Sequence, residues 1–274
     1  MHFSWAVAAA MALSAAVASL GPILLGVAIA RKTGALARWW LFGALTFFVF
    51  QCVLRLPWQI ALGLWIGKRF AHNTTIQYGW LLVSALTAAL FEEVGRWLTI
   101  RTLMKKERSF RAGLMLGAGH GGFESMLLVG LGLGVAVVLY VALGLGVDLG
   151  LPSDKREVVE KTFAAMTTTG SLAGGLERVL AITFHLGCSA LVMEGFIRSE
   201  RKWLFFAILL HFATDSIAVA AALWIKKTTH MPLLAELPLV PFSLVALLIL
   251  LRLSRATRPS PSSPSSSADP RPSP

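Results

Sequence analysis

The chain alternates between long apolar runs and short polar gaps. Seven runs are each long enough to cross roughly 30 Å of hydrocarbon at about 1.5 Å per residue. They cover residues 4–30, 39–66, 77–104, 112–146, 175–198, 203–225 and 234–252. This pattern predicts an all-α, polytopic transmembrane bundle of about seven spans. Arg55 and Pro57 interrupt the second run. Its last third is therefore expected to kink or to lie in the membrane interface. The fourth run is overlong and rich in glycine, which predicts tilt or a break. Residues 153–168 read as a short amphipathic helix outside the membrane. No internal repeat is visible, which counts against an inverted-repeat transporter.

The gaps are mostly basic, and unequally so. Arg31, Lys32 and Arg38, then Lys105, Lys106, Arg108 and Arg111, then Arg198, Arg201 and Lys202, and finally Arg252 onward fall on one side. Lys68, Arg69, Lys155, Arg156, Lys161, Lys226 and Lys227 fall on the other, where Asp148, Asp154, Glu157 and Glu160 offset part of their charge. The positive-inside rule then places the N-terminus outside and the C-terminus in the cytoplasm. The first run lacks a basic leader and is too long for a signal-peptide core, so a retained span is expected. Residues 1–253 read as a single integral membrane domain. Residues 254–274 end in a stretch of almost pure Pro and Ser, the composition of a disordered cytoplasmic tail.

Composition agrees with this picture. The 274 residues are 56% hydrophobic and only 14% charged, whereas soluble domains carry about a quarter charged residues. A net charge of +11 can mark a nucleic-acid binder. Here the charge sits in inter-span gaps, so the expected partner is the lipid bilayer and not nucleic acid. Cys52 and Cys188 fall singly in separate spans and read as small buried hydrophobes, without a disulfide framework.

Ionisable groups inside a span cost several kcal/mol unless they are paired or functional. This chain has many. The third span holds Glu92, Glu93 and Arg96; the fourth, His120 and Glu124; the fifth, His185; the sixth, His211 and Asp215. Counted from the basic gaps, all sit at one level, roughly 12–20 Å deep at about 1.5 Å per residue. Glu92 with Arg96, His120 with Glu124, and His211 with Asp215 are spaced i,i+4 and share a helix face. Gly117, Gly119, Gly121 and Gly122 let neighbouring helices or a substrate backbone approach the fourth span. Glu177 and Arg178 lie nearer the other end of the fifth span and read as a structural ion pair outside this cluster.

A carboxylate beside a histidine in a dry cavity can activate water as a general base. Further donors can stabilise an oxyanion. Two or three His with Glu or Asp can instead bind zinc and acidify its water; His120, Glu124 and His211 are the candidate ligands for that case. No His-Glu-x-x-His motif is present. The alternatives are a proton- or ion-coupled transporter, for which midplane carboxylates are equally natural, and a non-catalytic immunity or scaffold protein.

The Glu92-Glu93-x-x-Arg96, Gly119-His120-Gly121-Gly122-Phe123-Glu124 and His211-x-x-x-Asp215 elements resemble those of the YhfC-type membrane peptidases. That group is related to the CAAX-prenyl-protease and bacteriocin-processing superfamily and to PrsW-type proteases. The resemblance covers spans three to six and implies an intramembrane endopeptidase, multi-pass in a bacterial inner membrane. It implies action from the cytoplasmic half on membrane-associated protein or peptide substrates. It implies Glu92 as base, His120 holding the water, and His211 with Asp215 at the oxyanion or metal position. Glu124 and His185 are additional site candidates. Two departures matter. The Glu-to-Arg spacing is one residue shorter than usual, which leaves either Glu92 or Glu93 as the base. Asp215 stands where Asn is common, so it must be protonated, paired with a His, or a metal ligand. A glutamate-only mechanism needs no cofactor; a metalloprotease would use zinc.

Overall fold

The computed structural model describes residues 3–228, 234 and 236–256, and all secondary structure among them is helical. Helices α1 (Trp5–Ser19) and α2 (Gly21–Thr33) meet at a 42° bend. Pro22 causes it. A proline at this point has no N–H for the carbonyl four residues back and crowds it. That carbonyl, Ala18 O, takes its hydrogen bond from Ser125 Oγ instead, at 2.9 Å. The bend is thereby stapled to the middle of the bundle.

The second rod runs from Arg38 to Arg69 as α3 (Arg38–Phe47), a π-helical segment (Phe48–Arg55) and α4 (Leu56–Arg69). The expected interruption is thus a π segment followed by Pro57 in the first turn of α4, and the helix continues. Then come α5 (Thr74–Leu103) and α6 (Phe110–Glu124). A second π segment (Ser125–Gly130) joins α6 to α7 (Leu131–Gly144). The overlong fourth run is therefore one rod with a local π insertion, not a broken one. The short α8 (Ser153–Ala164) has an exposed, charged surface, as its amphipathic sequence predicts. The last three are α9 (Thr168–Ile197), α10 (Lys202–Thr228) and α11 (Leu239–Ala256). Six rods are long and apolar enough to span a membrane, and the bent α1–α2 pair makes a seventh if it counts as one crossing. The Pro/Ser-rich tail beyond Ala256 lies outside the described residues.

Close packing at α6 positions the site. A Cβ built on Gly43 would lie 2.0 Å from Leu116 O, and one on Gly119 would lie 1.8 Å from Trp40 O, so α3 and α6 touch backbone to backbone. A Cβ on Gly117 or Gly121 would strike α9 at Leu186 or His185, and one on Gly122 would strike Pro22. The glycines of α6 are thus filled by helices α2, α3 and α9, which leaves no substrate groove along them. At the basic end, Trp39, Ile100, Met104, Met115, Leu116, Leu191, Val192 and Met193 form a buried apolar core.

Candidate active site

Every ionisable residue expected at the common depth reaches one cluster. Glu92 is its hub. Its Oε2 lies 2.9 Å from His120 Nε2, 3.3 Å from Arg96 Nη2, and 3.8 Å from both His185 Nδ1 and His211 Nε2. Its Oε1 accepts a hydrogen bond from Gln51 Nε2. Arg96 can only donate and Gln51 donates here from its Nε2, so the ionised carboxylate accepts from both, and His120 donates to it from Nε2. Glu93, one residue on, faces elsewhere. Its Oε1 takes Arg96 and lies 2.7 Å from His211 Nδ1, and its side chain is fully buried. Arg96 therefore binds both carboxylates, which the two-residue spacing between Glu93 and Arg96 permits on one helical turn.

His185 bridges two partners. Arg96 Nη2 lies 2.7 Å from Nδ1, and Glu124 Oε2 lies 2.7 Å from Nε2. An arginine cannot accept, so the His185 proton sits on Nε2, toward Glu124. The second Glu124 oxygen receives Arg178 Nη1 at 3.2 Å. Glu177 and Arg178 do form the expected ion pair. The expectation that they stand apart fails, because Arg178 reaches across to α6 and closes the edge of the network. Asp215 Oδ2 lies 3.6 Å from His211 Nε2, with 34% of its side chain exposed into the cavity. Asp215 thus stands within ion-pair distance of a His, one of the three options its sequence position left open.

Sequence reasoning missed Gln51 and Arg55. Both are buried in the π segment, where Arg55 donates to Gln51 Oε1 at 2.9 Å, to Thr87 Oγ1 at 3.2 Å and to Ser84 O at 2.6 Å. The signal was present: two polar residues four apart in an apolar run. Arg55 was read only as an interruption. Cys188, read as a small hydrophobe, lies beside Glu93 and His211.

A cavity of about 350 Å³ adjoins the cluster. Glu92, Glu124, His185, His211 and Asp215 line it, together with Gln51 and Arg55; Glu93, Arg96 and His120 do not. From this polar floor the lining continues along Ser84 and Leu81 of α5, Arg178 and Glu177 of α9, Val219 of α10 and Leu239 of α11. All these residues lie toward the helix ends opposite the basic gaps. The apolar core seals the basic side. The cavity therefore extends away from the face that the sequence reading assigned to the cytoplasm, against the expectation of access from that half.

The donor set suits a divalent metal. Atoms of Glu92, His120, Glu124 and His185 all lie within 4.8 Å of one another; His211 groups instead with Glu93 and Cys188. Two imidazoles and two carboxylates are the N/O ligands zinc takes. His120 Nδ1 is buried with no hydrogen-bond partner among the described residues, while its Nε2 is held by a carboxylate. A metal-bound histidine has its second nitrogen engaged in this way. Charge points the same way. Among the described residues, Glu92, Glu93, Glu124, Glu177 and Asp215 face three permanent cations, Arg55, Arg96 and Arg178, besides the titratable His120, His185 and His211. With the histidines neutral, the two excess negative charges would be costly in a buried site, so a bound cation or protons on the histidines must offset them. One contact opposes ligation: His185 would have to release Arg96 before Nε2 could offer a lone pair.

Comparison with known proteins agrees with this architecture. The family model described as YhfC intramembrane metalloprotease matches residues 17–239. A Bacillus subtilis (strain 168) protein, described as an uncharacterized membrane protein YhfC, is 35% identical over 208 residues, covering 73% of this chain and 80% of its own length. No solved structure matches significantly. The match spans the whole buried cluster and the rods from α2 to α10, and the chain belongs to the YhfC intramembrane metalloprotease family.

Proposed function

We propose that the protein is an intramembrane endopeptidase in which Glu92 is the general base. One observation carries this reading: of the two adjacent glutamates, only Glu92 meets the cavity, and it does so beside His185 and His211. A base must reach the water it deprotonates. Glu93 cannot, and serves to position Arg96 and His211.

The chain's own groups divide the work. A peptide enters from the open end and its scissile carbonyl comes to rest over the polar floor. Glu92 Oε2 takes a proton from water while Gln51, itself fixed by Arg55, holds Oε1. His120 supports Glu92 from behind the cavity wall, which changes its expected role from holding water to holding the base. His211 presents Nε2 between Glu92 and Asp215, where an imidazolium N–H can meet a developing oxyanion. Asp215 keeps that imidazolium charged and in place.

His120, Glu124 and His185 would hold a zinc ion, with Glu92 beside them. Such an ion acidifies bound water and polarises a carbonyl. Elemental analysis of the purified chain should find about one zinc per molecule, lost in His120→Ala and Glu124→Ala. A metal-free chain that still cleaves would leave Glu92 alone as the catalyst. A transporter would have to open the apolar seal at the basic end in a second conformation, and a packed scaffold would not keep the cavity.

Cleavage can be tested without knowing the substrate. Membrane proteomes from cells producing wild-type or Glu92→Gln protein are compared for new protein termini. The reading predicts termini in or near membrane spans that appear only with the wild type. Identical termini in both would reject it.

A further inference from the structure

A second pocket, of about 290 Å³, lies at the basic end of the bundle, beyond the apolar core and separate from the Glu92 cluster. The ends of α5 and α9, the α5–α6 turn and the start of α10 form it. Three arginines and one carboxylate line it, Arg101, Arg108, Arg201 and Glu200, against the aromatic side chains of Trp97 and Phe196. The Arg101 guanidinium stands 4.8 Å from the Trp97 ring centre, and that of Arg108 stands 4.7 Å from the Phe196 ring. Stacking of this kind fixes a guanidinium by its face and leaves its N–H edge free to bind.

The local acids do not neutralise these arginines. Glu107 pairs with Arg111 at 3.4 Å, Glu194 pairs with Arg198, and Glu200 pairs with Lys202 at 2.9 Å while accepting from Trp203 Nε1 at 2.9 Å. None of Arg101, Arg108 and Arg201 is within ion-pair distance of a carboxylate among the described residues. The turn that carries Arg201 is tightly built. Ser199 takes a left-handed φ of 59°, a strained conformation for a residue with a Cβ. Beside it, Glu200 N donates to Gly195 O at 2.9 Å. The pocket lies at the ends of three rods long and apolar enough to span a membrane, where headgroups would meet such helices.

We propose that this pocket binds a phosphate-bearing anion, seated on the arginine N–H edges with its apolar part against Trp97 and Phe196. Planar guanidinium forks match phosphate oxygens, and basic pockets between spanning helices at the cytoplasmic face take anionic lipid headgroups. A phospholipid headgroup and a free phosphate share this chemistry, and the test separates them.

The full chain is purified in detergent and offered equal amounts of phosphatidylglycerol and phosphatidylcholine. Retained lipid is read by native mass spectrometry, with and without millimolar inorganic phosphate. The wild type should retain phosphatidylglycerol in preference. Each single variant, Arg101→Gln, Arg108→Gln or Arg201→Gln, should lose on the order of fivefold in occupancy. These side chains are exposed, so the variants should fold, which an unchanged melting temperature verifies. Lys32→Gln removes one charge away from the pocket and should leave retention unchanged. If inorganic phosphate binds with the same arginine dependence and no lipid is preferred, the source is a free phosphate. If neither probe depends on these arginines, or the lysine variant loses as much, the proposal is wrong.

Discussion

Glu92 and Glu93 are chemically identical neighbours with different surroundings, and the account depends on that difference. Glu92 collects Gln51, His120 and Arg96 and meets the cavity; Glu93 collects Arg96 and His211 and meets only protein. Glu92→Gln should therefore lose about 10²- to 10⁴-fold in peptide cleavage per folded molecule; it also takes one partner from the buried Arg96, but the chain should still fold, since Arg96 keeps Glu93. Glu93→Gln should instead destabilise the chain by about 3–5 kcal/mol, because it strips one partner from a buried ion pair. Thermal unfolding in detergent separates the two effects. Gln51→Leu tests the newly found partner: Glu92 keeps His120 and Arg96 but its Oε1 loses a donor, so cleavage should fall while folding persists. The sequence favoured Glu92 only through the family resemblance, since a one-residue step on a helix turns the side chain by about 100° and the neighbours decide which side is open.

The elements were more legible than their joints. Apolar run lengths marked the rods because hydrocarbon admits little else, and the rods Arg38–Arg69, Thr74–Leu103 and Phe110–Gly144 begin and end near the predicted limits. The π segments at Phe48–Arg55 and Ser125–Gly130 were not legible, because their extra residue per turn leaves no compositional mark. Missing the first one hid Gln51 and Arg55. The glycines of α6 were visible, but what fills the space beside them depends on tertiary packing. Gly119→Ala would drive a methyl group into the Trp40 carbonyl. It should cost at least the ~1–3 kcal/mol typical of overpacking, seen as a lower melting temperature, with Gly132→Ala, which meets nothing within 4 Å, as the neutral control.

At the scale of the whole molecule, the common depth of the polar groups was readable from helix counting, and the structure gathers them around Glu92. The direction of access was not readable. Depth is a one-dimensional quantity, whereas access depends on which half of the bundle packs tightly. Large apolar side chains fill the basic half, and the cavity occupies the other. A cysteine scan in a chain lacking Cys52 and Cys188 tests this. Ser243→Cys, on the cavity wall, should react with a membrane-impermeant maleimide applied to intact cells if the basic gaps face the cytoplasm, and Leu191→Cys, in the apolar core, should react from neither side. Labelling of Ser243→Cys only in inverted vesicles would place the open end in the cytoplasm.

The most direct test of the central claim is turnover of fluorescein-labelled casein, a generic unfolded substrate, by purified wild-type, Glu92→Gln and Glu93→Gln chains, each corrected for its folded fraction. The account predicts background cleavage by Glu92→Gln despite an intact fold, and residual cleavage by whatever fraction of Glu93→Gln remains folded. Wild-type turnover by folded Glu92→Gln protein would contradict it.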